Sequence, residues 1–118
     1  MSAKPDPVDP VTLRDLVPLN TLSEERLQEV AALATPERLP AGETVFRTGE
    51  ADHQTVFLVF GEVELTGSDG ASRTVWHGME EARHPLADHQ PRDATAVTVT
   101  DVHLLRIDNS MLDYVVAW

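Results

Sequence analysis

The sequence predicts a mainly β domain, a sandwich or small barrel, with helices before and after it. Two changes along the chain carry this. From Glu37 onward the apolar residues recur with a period of two, whereas before it they recur every three or four positions. All six glycines fall between Gly42 and Gly78, which marks short strands joined by tight turns. A chain of 118 residues has room for one such domain.

Residues 1–10 alternate proline with polar or small residues and read as a flexible arm, leaving residues 11–118 as the single domain. Residues 11–17 can form a short helical turn, with Leu13, Leu16 and Val17 at helical spacing and Pro18 as its stop. Thr21-Leu22-Ser23-Glu24 has the form of a capping box, a hydroxyl with a carboxylate three residues on. The helix after it carries Leu27, Val30, Ala31 and Ala34 at intervals of three and four, gains from the acidic start Glu24-Glu25, and is ended by Pro36. Seven candidate strands follow, at residues 37–39, 44–47, 55–60, 62–66, 73–77, 94–99 and 102–107. Ser68-Asp69-Gly70-Ala71 is the clearest hairpin, because Asp-Gly accepts the positive φ of the favoured turns. Asp108 or Asn109 can cap a last helix on which Met111, Leu112, Val115 and Val116 form an apolar stripe. The stop at Trp118, without glycine or polar tail, is expected of a domain cut from a longer protein or of a helix that needs a partner.

Twenty acidic against nine basic side chains leave a net charge of −11, spread along the whole chain. That field repels phosphate backbones and anionic membranes, so neither nucleic acid nor membrane is an expected partner of this chain alone. It also requires any anionic ligand to be held by a local cationic pocket. The absence of cysteine removes disulfides, thiolate zinc sites and cysteine nucleophiles together. With no signal-peptide pattern at the start and no stretch approaching the roughly 20 apolar residues of a membrane span, the expected location is the cytoplasm.

The chain is organised around residues 80–95, which hold two prolines, two arginines and two of the five histidines and so form a structured connection rather than a plain turn. Only Leu86 and the alanines in it suit a core. Its end, Pro91-Arg92-Asp93-Ala94-Thr95, puts a cation on a turn that feeds a strand, beside free backbone N–H groups. That arrangement suits an anion site; the alternative is a solvated surface charge.

Leu39-Pro40-Ala41-Gly42-Glu43, the second Gly49-Glu50, and the apolar run Val56-Phe57-Leu58-Val59-Phe60 closing in Gly61-Glu62-Val63 follow one another in an order that resembles the front half of a cyclic nucleotide-binding domain. Pro91-Arg92-Asp93-Ala94-Thr95 is similar to that family's Pro-Arg-Ala-Ala-Thr, and residues 100–107 resemble its last strand. The resemblance runs from about Leu13 to Trp118. It implies a double-stranded β-helix, a jelly-roll β-roll with N-terminal helices and a C-terminal helix, acting as a non-catalytic regulatory module with no cofactor and a cyclic nucleotide or other anionic small molecule as ligand.

The resemblance also implies a phosphate-binding cassette. Arg92 would pair with the cyclic phosphate, with Asp93 and Ala94 offering N–H groups and Thr95 completing the motif. Leu86-Ala87 matches the Leu-Ala of the family's Gly-Glu-Leu-Ala segment, but His84-Pro85 stands where Gly-Glu is usual, so the glutamate that takes the ribose hydroxyl is missing. Asp93 replaces a small residue; a carboxylate there would cost a bound phosphate on the order of 1–4 kcal/mol, or would pair with Arg92 instead. The segment between Ala87 and Pro91 is also short for a cassette. These departures point to a modified cassette that binds weakly or atypically, with His84, His89 and Arg83 adjusting the charge of the pocket. The same segment is similar to a variant in bacterial proteins that carry tandem copies of this domain, which implies a linked output domain.

Other function classes fit less well. A cupin-like metal site needs several converging ligands, typically His-x-His on a strand; none occurs, and His77, Glu81 and His84 read more readily as solvated surface. Ser68, Ser72 and Ser110 have no base near them in sequence to suggest a nucleophile, so no catalysis is expected. The alternative to ligand sensing is a degenerate, non-binding scaffold that acts through its last helix, where Tyr114 and Trp118, four apart, would form an interface pair and support a homodimer. Trp76 reads as core or rim.

Overall fold

The computed structural model describes residues 13–87 and 89–116. In order these are α1 (Glu24–Leu33), β1 (Thr35–Leu39), β2 (Thr44–Phe46), β3 (Gln54–Phe60), β4 (Glu62–Gly67), β5 (Ser72–Trp76), β6 (Ala94–Thr98), β7 (Val102–Asp108) and α2 (Asn109–Val116), with 3-10 turns at Leu19–Thr21 and Glu80–Arg83. The seven expected strands are present, their ends shifted by at most two residues.

The strands form two antiparallel sheets, β1-β7-β3 and β2-β6-β4-β5, packed face to face. The inward residues of both sheets, among them Phe46, Val56, Leu58, Val63, Leu65, Ala96 and Leu104, make the main core. The three-stranded sheet is covered on its other face too. There Phe57, Leu105 and Ile107 meet Leu13, Leu16, Leu19, Leu27, Val30, Leu112 and Val115 from the N-terminal segment and both helices. This is why β3 carries the unbroken apolar run 56–60 and β7 buries the consecutive Leu104 and Leu105, while β4 and β6 alternate.

Three details differ from the sequence expectations. The cap of α1 is Ser23, whose Oγ accepts the N–H of Arg26 at 3.3 Å, and Thr21 instead donates its hydroxyl to the Pro18 carbonyl at 2.7 Å in the preceding 3-10 turn. Pro36 does not end α1, which stops at Leu33; it sits within β1, an edge strand where a missing N–H is tolerated. Met111 is exposed, whereas Leu112 and Val115 enter the core. Asp108 caps α2 by accepting the N–H of Ser110 at 2.9 Å, while the Asn109 side chain accepts the hydroxyl of buried Thr55 at 2.6 Å and ties the helix to β3. Val116's neighbours Ala117 and Trp118 lie outside the described residues, and with them the Trp118 half of the expected aromatic pair.

Three of the four crossings between the sheets, β1 to β2, β3 to β4 and β6 to β7, lie at one end of the roll. Gly42, in the turn between β1 and β2, donates its N–H to the Thr98 carbonyl, and the buried Thr98 hydroxyl bridges the Pro40 carbonyl and the Glu43 N–H. Gly61 alone turns the chain from β3 into β4 at φ +98°; a Cβ there would lie 2.4 Å from the Asp101 carbonyl oxygen. The opposite end carries the turn 47–50 and the connection 80–93.

Candidate functional site

The connection from β5 to β6 is anchored by its apolar residues. Ala82 and Leu86 sit in the main core, and the Leu86 N–H donates to the Val56 carbonyl of β3 at 2.8 Å. Its end is clamped by the second Gly-Glu turn: Gly49 donates to the Arg92 carbonyl at 2.7 Å and the Arg92 N–H to the Glu50 carbonyl at 2.8 Å. Gly49 reaches this position at φ +90°.

The clamp directs the Arg92 side chain inward. At 2% exposure it is the largest fully buried side chain among the described residues, so it is not the solvated charge that a surface turn would carry. Nε and Nη2 reach Asp52 Oδ2 and Oδ1 at 3.2 and 3.1 Å, a bidentate pair. Nη1 donates to the carbonyls of Leu86 and Ala87 at 3.2 and 3.1 Å, and Nη2 also donates to the Gln54 carbonyl. Phe46 covers the guanidinium, its ring centroid 4.1 Å away. A guanidinium has five N–H donors, and all five are used within the protein.

Asp52 is the residue that sequence reasoning missed. Burial opposes its ionisation, but hydrogen bonds from Arg92, the Gln54 N–H and the Gln90 amide, with the attraction of the guanidinium, hold its carboxyl below the ordinary carboxylate value. The alternative pairing of Arg92 with Asp93 is not formed, since Asp93 faces outward and is exposed.

The other candidate residues divide. Ala87 takes φ +42° and aims its carbonyl at Arg92. Ala94 starts β6 opposite Gly67, and the Thr95 hydroxyl accepts the Thr48 N–H at 3.0 Å. Arg83 points away, bonding the Asp15 carbonyl and Glu80. His84 lies 3.4 Å from Glu80, and His89 is exposed with Nδ1 3.1 Å from the Pro91 carbonyl. Tyr114 is 60% exposed on α2.

Beside this connection is an open cleft of about 490 Å³, between the hairpin of β4 and β5 on one side and His84, Pro85, Ala87 and Asp93 on the other. Its charged lining consists of Asp69, Glu81 and Asp93 against Arg73 and His84. Arg73 is bound to Glu81 at 2.6 Å, so the cleft has a net negative wall. Arg92 does not line it. His77, Glu81 and His84 do not converge: His77 Nδ1 accepts the Gly61 N–H, Glu81 pairs with Arg73 and His84 with Glu80.

A two-sheet roll closed by an arginine-bearing connection and flanked by helices is the architecture of cyclic nucleotide-binding domains. The family described as cyclic nucleotide-binding domain matches residues 36–117, and the chain belongs to it. Among solved structures, the sensor domain of the transcriptional regulator DNR from Pseudomonas aeruginosa is similar at 24% identity and TM-score 0.78, over 92% of this chain and 80% of that one. A cyclic nucleotide-binding-like protein from Brucella abortus is similar at 24% identity and TM-score 0.69, over 93% and 98%. The regulatory domain of Toxoplasma gondii PKA, crystallised with cAMP, is similar at 18% identity and TM-score 0.74, over 90% of this chain but only 42% of that one, so this chain spans less than half its length. No curated protein matches the chain.

Proposed function

We propose that the chain is a regulatory, non-catalytic sensing module in which the cassette arginine serves as an internal tie, so that an anionic or nucleotide-like ligand would meet the pocket without it and bind weakly. The saturation of all five Arg92 donors carries this reading. In the family arrangement implied by the sequence, that guanidinium would hold the cyclic phosphate; here the Asp52 carboxylate stands in the place of the anion. The negative wall of the cleft and the missing ribose glutamate point the same way. Sensor and regulatory domains among the similar structures favour a role as the input half of a larger assembly. The exposed Met111 and Tyr114, three apart on α2, favour that helix as the face presented to an output domain or a second copy.

The test is a calorimetric and amide-resolved NMR titration with cyclic AMP and cyclic GMP on the chain and on Arg92→Lys. The expected dissociation constant is about a millimolar or weaker, and the lysine variant, if folded, does not change it. Micromolar binding that collapses in Arg92→Lys would return the arginine to the phosphate and overturn the proposal.

A further inference from the structure

We propose that the crossing end of the roll carries a binding site for an alkylated ammonium group, built by Phe60, Trp76, Glu62 and Asp101. None of the residues lining this site bonds Arg92, and the inference does not depend on how the connection 80–93 works.

The site is a concavity of about 400 Å³ at the corner where β3 becomes β4. Its apolar wall is aromatic. Phe60 and Trp76 are 49% and 46% exposed, an unusual cost for large rings on a polar surface unless something covers them. The rings are held in a row. His77 stacks on Phe60 with centroids 4.8 Å apart and an interplanar angle of 22°, and meets Trp76 edge-on at 5.9 Å and 85°. His103 supports Phe60 from its other neighbour position at 5.4 Å. Trp76 is seated over Gly78, where a Cβ would lie 1.8 Å from its ring; only glycine leaves the indole room to lie there. His77 is fixed in turn, since its Nδ1 accepts the Gly61 N–H at 3.1 Å, which requires an unprotonated nitrogen at that position.

Charge selects the ligand. Glu62 and Asp101 line the concavity, and its lining contains no lysine or arginine. Asp101 Oδ1 accepts the Ala41 N–H, whereas the Glu62 carboxylate has no hydrogen-bond or ion-pair partner among the described residues although it is half-buried opposite Trp76. Electron-rich rings lining a concavity with an unpaired carboxylate attract a soft, weakly hydrated cation, and a quaternary or methylated ammonium is the group whose desolvation cost is low enough to gain from both. A bare ammonium keeps its water more strongly, and an anion meets two negative charges.

The cation can arrive free or on a protein side chain. Amide-resolved NMR titrations with choline and with a short trimethyllysine peptide separate these sources, and 3,3-dimethyl-1-butanol, the uncharged isostere of choline, isolates the charge. Saturable shifts at Gly61, Trp76, His77 and Thr100 are expected with at least one of the two cations, at a dissociation constant of roughly a millimolar. The isostere should be at least about tenfold weaker, and Glu62→Gln should erase most of that preference. Shifts should weaken at high salt and spare Leu86 and Arg92. Isostere and choline binding alike, or no saturable shift with either cation, overturns the proposal without any variant having to fold.

Discussion

Replacing Asp52 by alanine tests whether Arg92 is built into the fold. The arginine side chain is 1% exposed, and the substitution removes two of its five acceptors together with the acceptor of the Gln54 N–H and the Gln90 amide. Leaving a buried charge without its partner costs about 3–5 kcal/mol. Asp52 keeps 19% of its side chain exposed, so water can enter the vacated space, which places the loss near the lower end, about 3 kcal/mol. For a domain of this size that is a fall in Tm of about 12 °C. Urea and thermal unfolding followed by circular dichroism measure it, with Arg92→Ala and the double variant completing a cycle in which the coupling should reach about 2 kcal/mol. A loss within about 0.5 kcal/mol of zero would be the behaviour of a surface ion pair and would refute the structural role of the bond.

Two further outcomes follow from groups already described. Asp52 ionises below its unfolded value of 3.8, so the folded state binds fewer protons in that range; the stability this supplies is whole above about pH 5 and is lost as pH falls through the folded value. The stability gap between the wild type and Asp52→Asn, measured by urea unfolding, should therefore narrow below about pH 4, and a gap constant from pH 7 to pH 3 would contradict it. Thr98→Val keeps the shape of a side chain that is 2% exposed but removes the hydroxyl shared by Pro40 and Glu43, and should lower stability by about 1–3 kcal/mol with faster amide exchange confined to residues 40–43.

The strands were legible because period-two patterning and glycine punctuation are local signals, and Gly42, Gly61 and Gly70 each turned out to stand at a positive φ in a turn or corner. The double burial of β3 was written in its unbroken apolar run, although nothing local says which sheet it joins. Cap positions were less legible: Thr21 and Ser23 both carry hydroxyls, and packing of Leu27 and Val30 decides where α1 begins. The surroundings of Arg92 were hidden for another reason. Asp93 is adjacent to Arg92 in sequence, but β6 alternation turns it outward, while Asp52, 40 residues earlier, is brought in by the turn before β3. A charged residue at the mouth of a strand gives no local sign of its partner. The only available hint was the short spacing from Gly49-Glu50 to Asp52, ahead of a strand otherwise free of charge.

The four residues at the start of β3 serve two masters at once. The Gln54 and Val56 carbonyls grip the cassette through Arg92 and Leu86, while the Thr55 hydroxyl and the Phe57 ring, on the opposite side of the same strand, seat the last helix through Asn109 and the helical core. Successive residues of a strand are only about 3.3 Å apart. The Arg92 connection and the footing of α2 thus share one short stretch of chain at the same end of the roll, where the structure needs no relay across the sheets to bring them together.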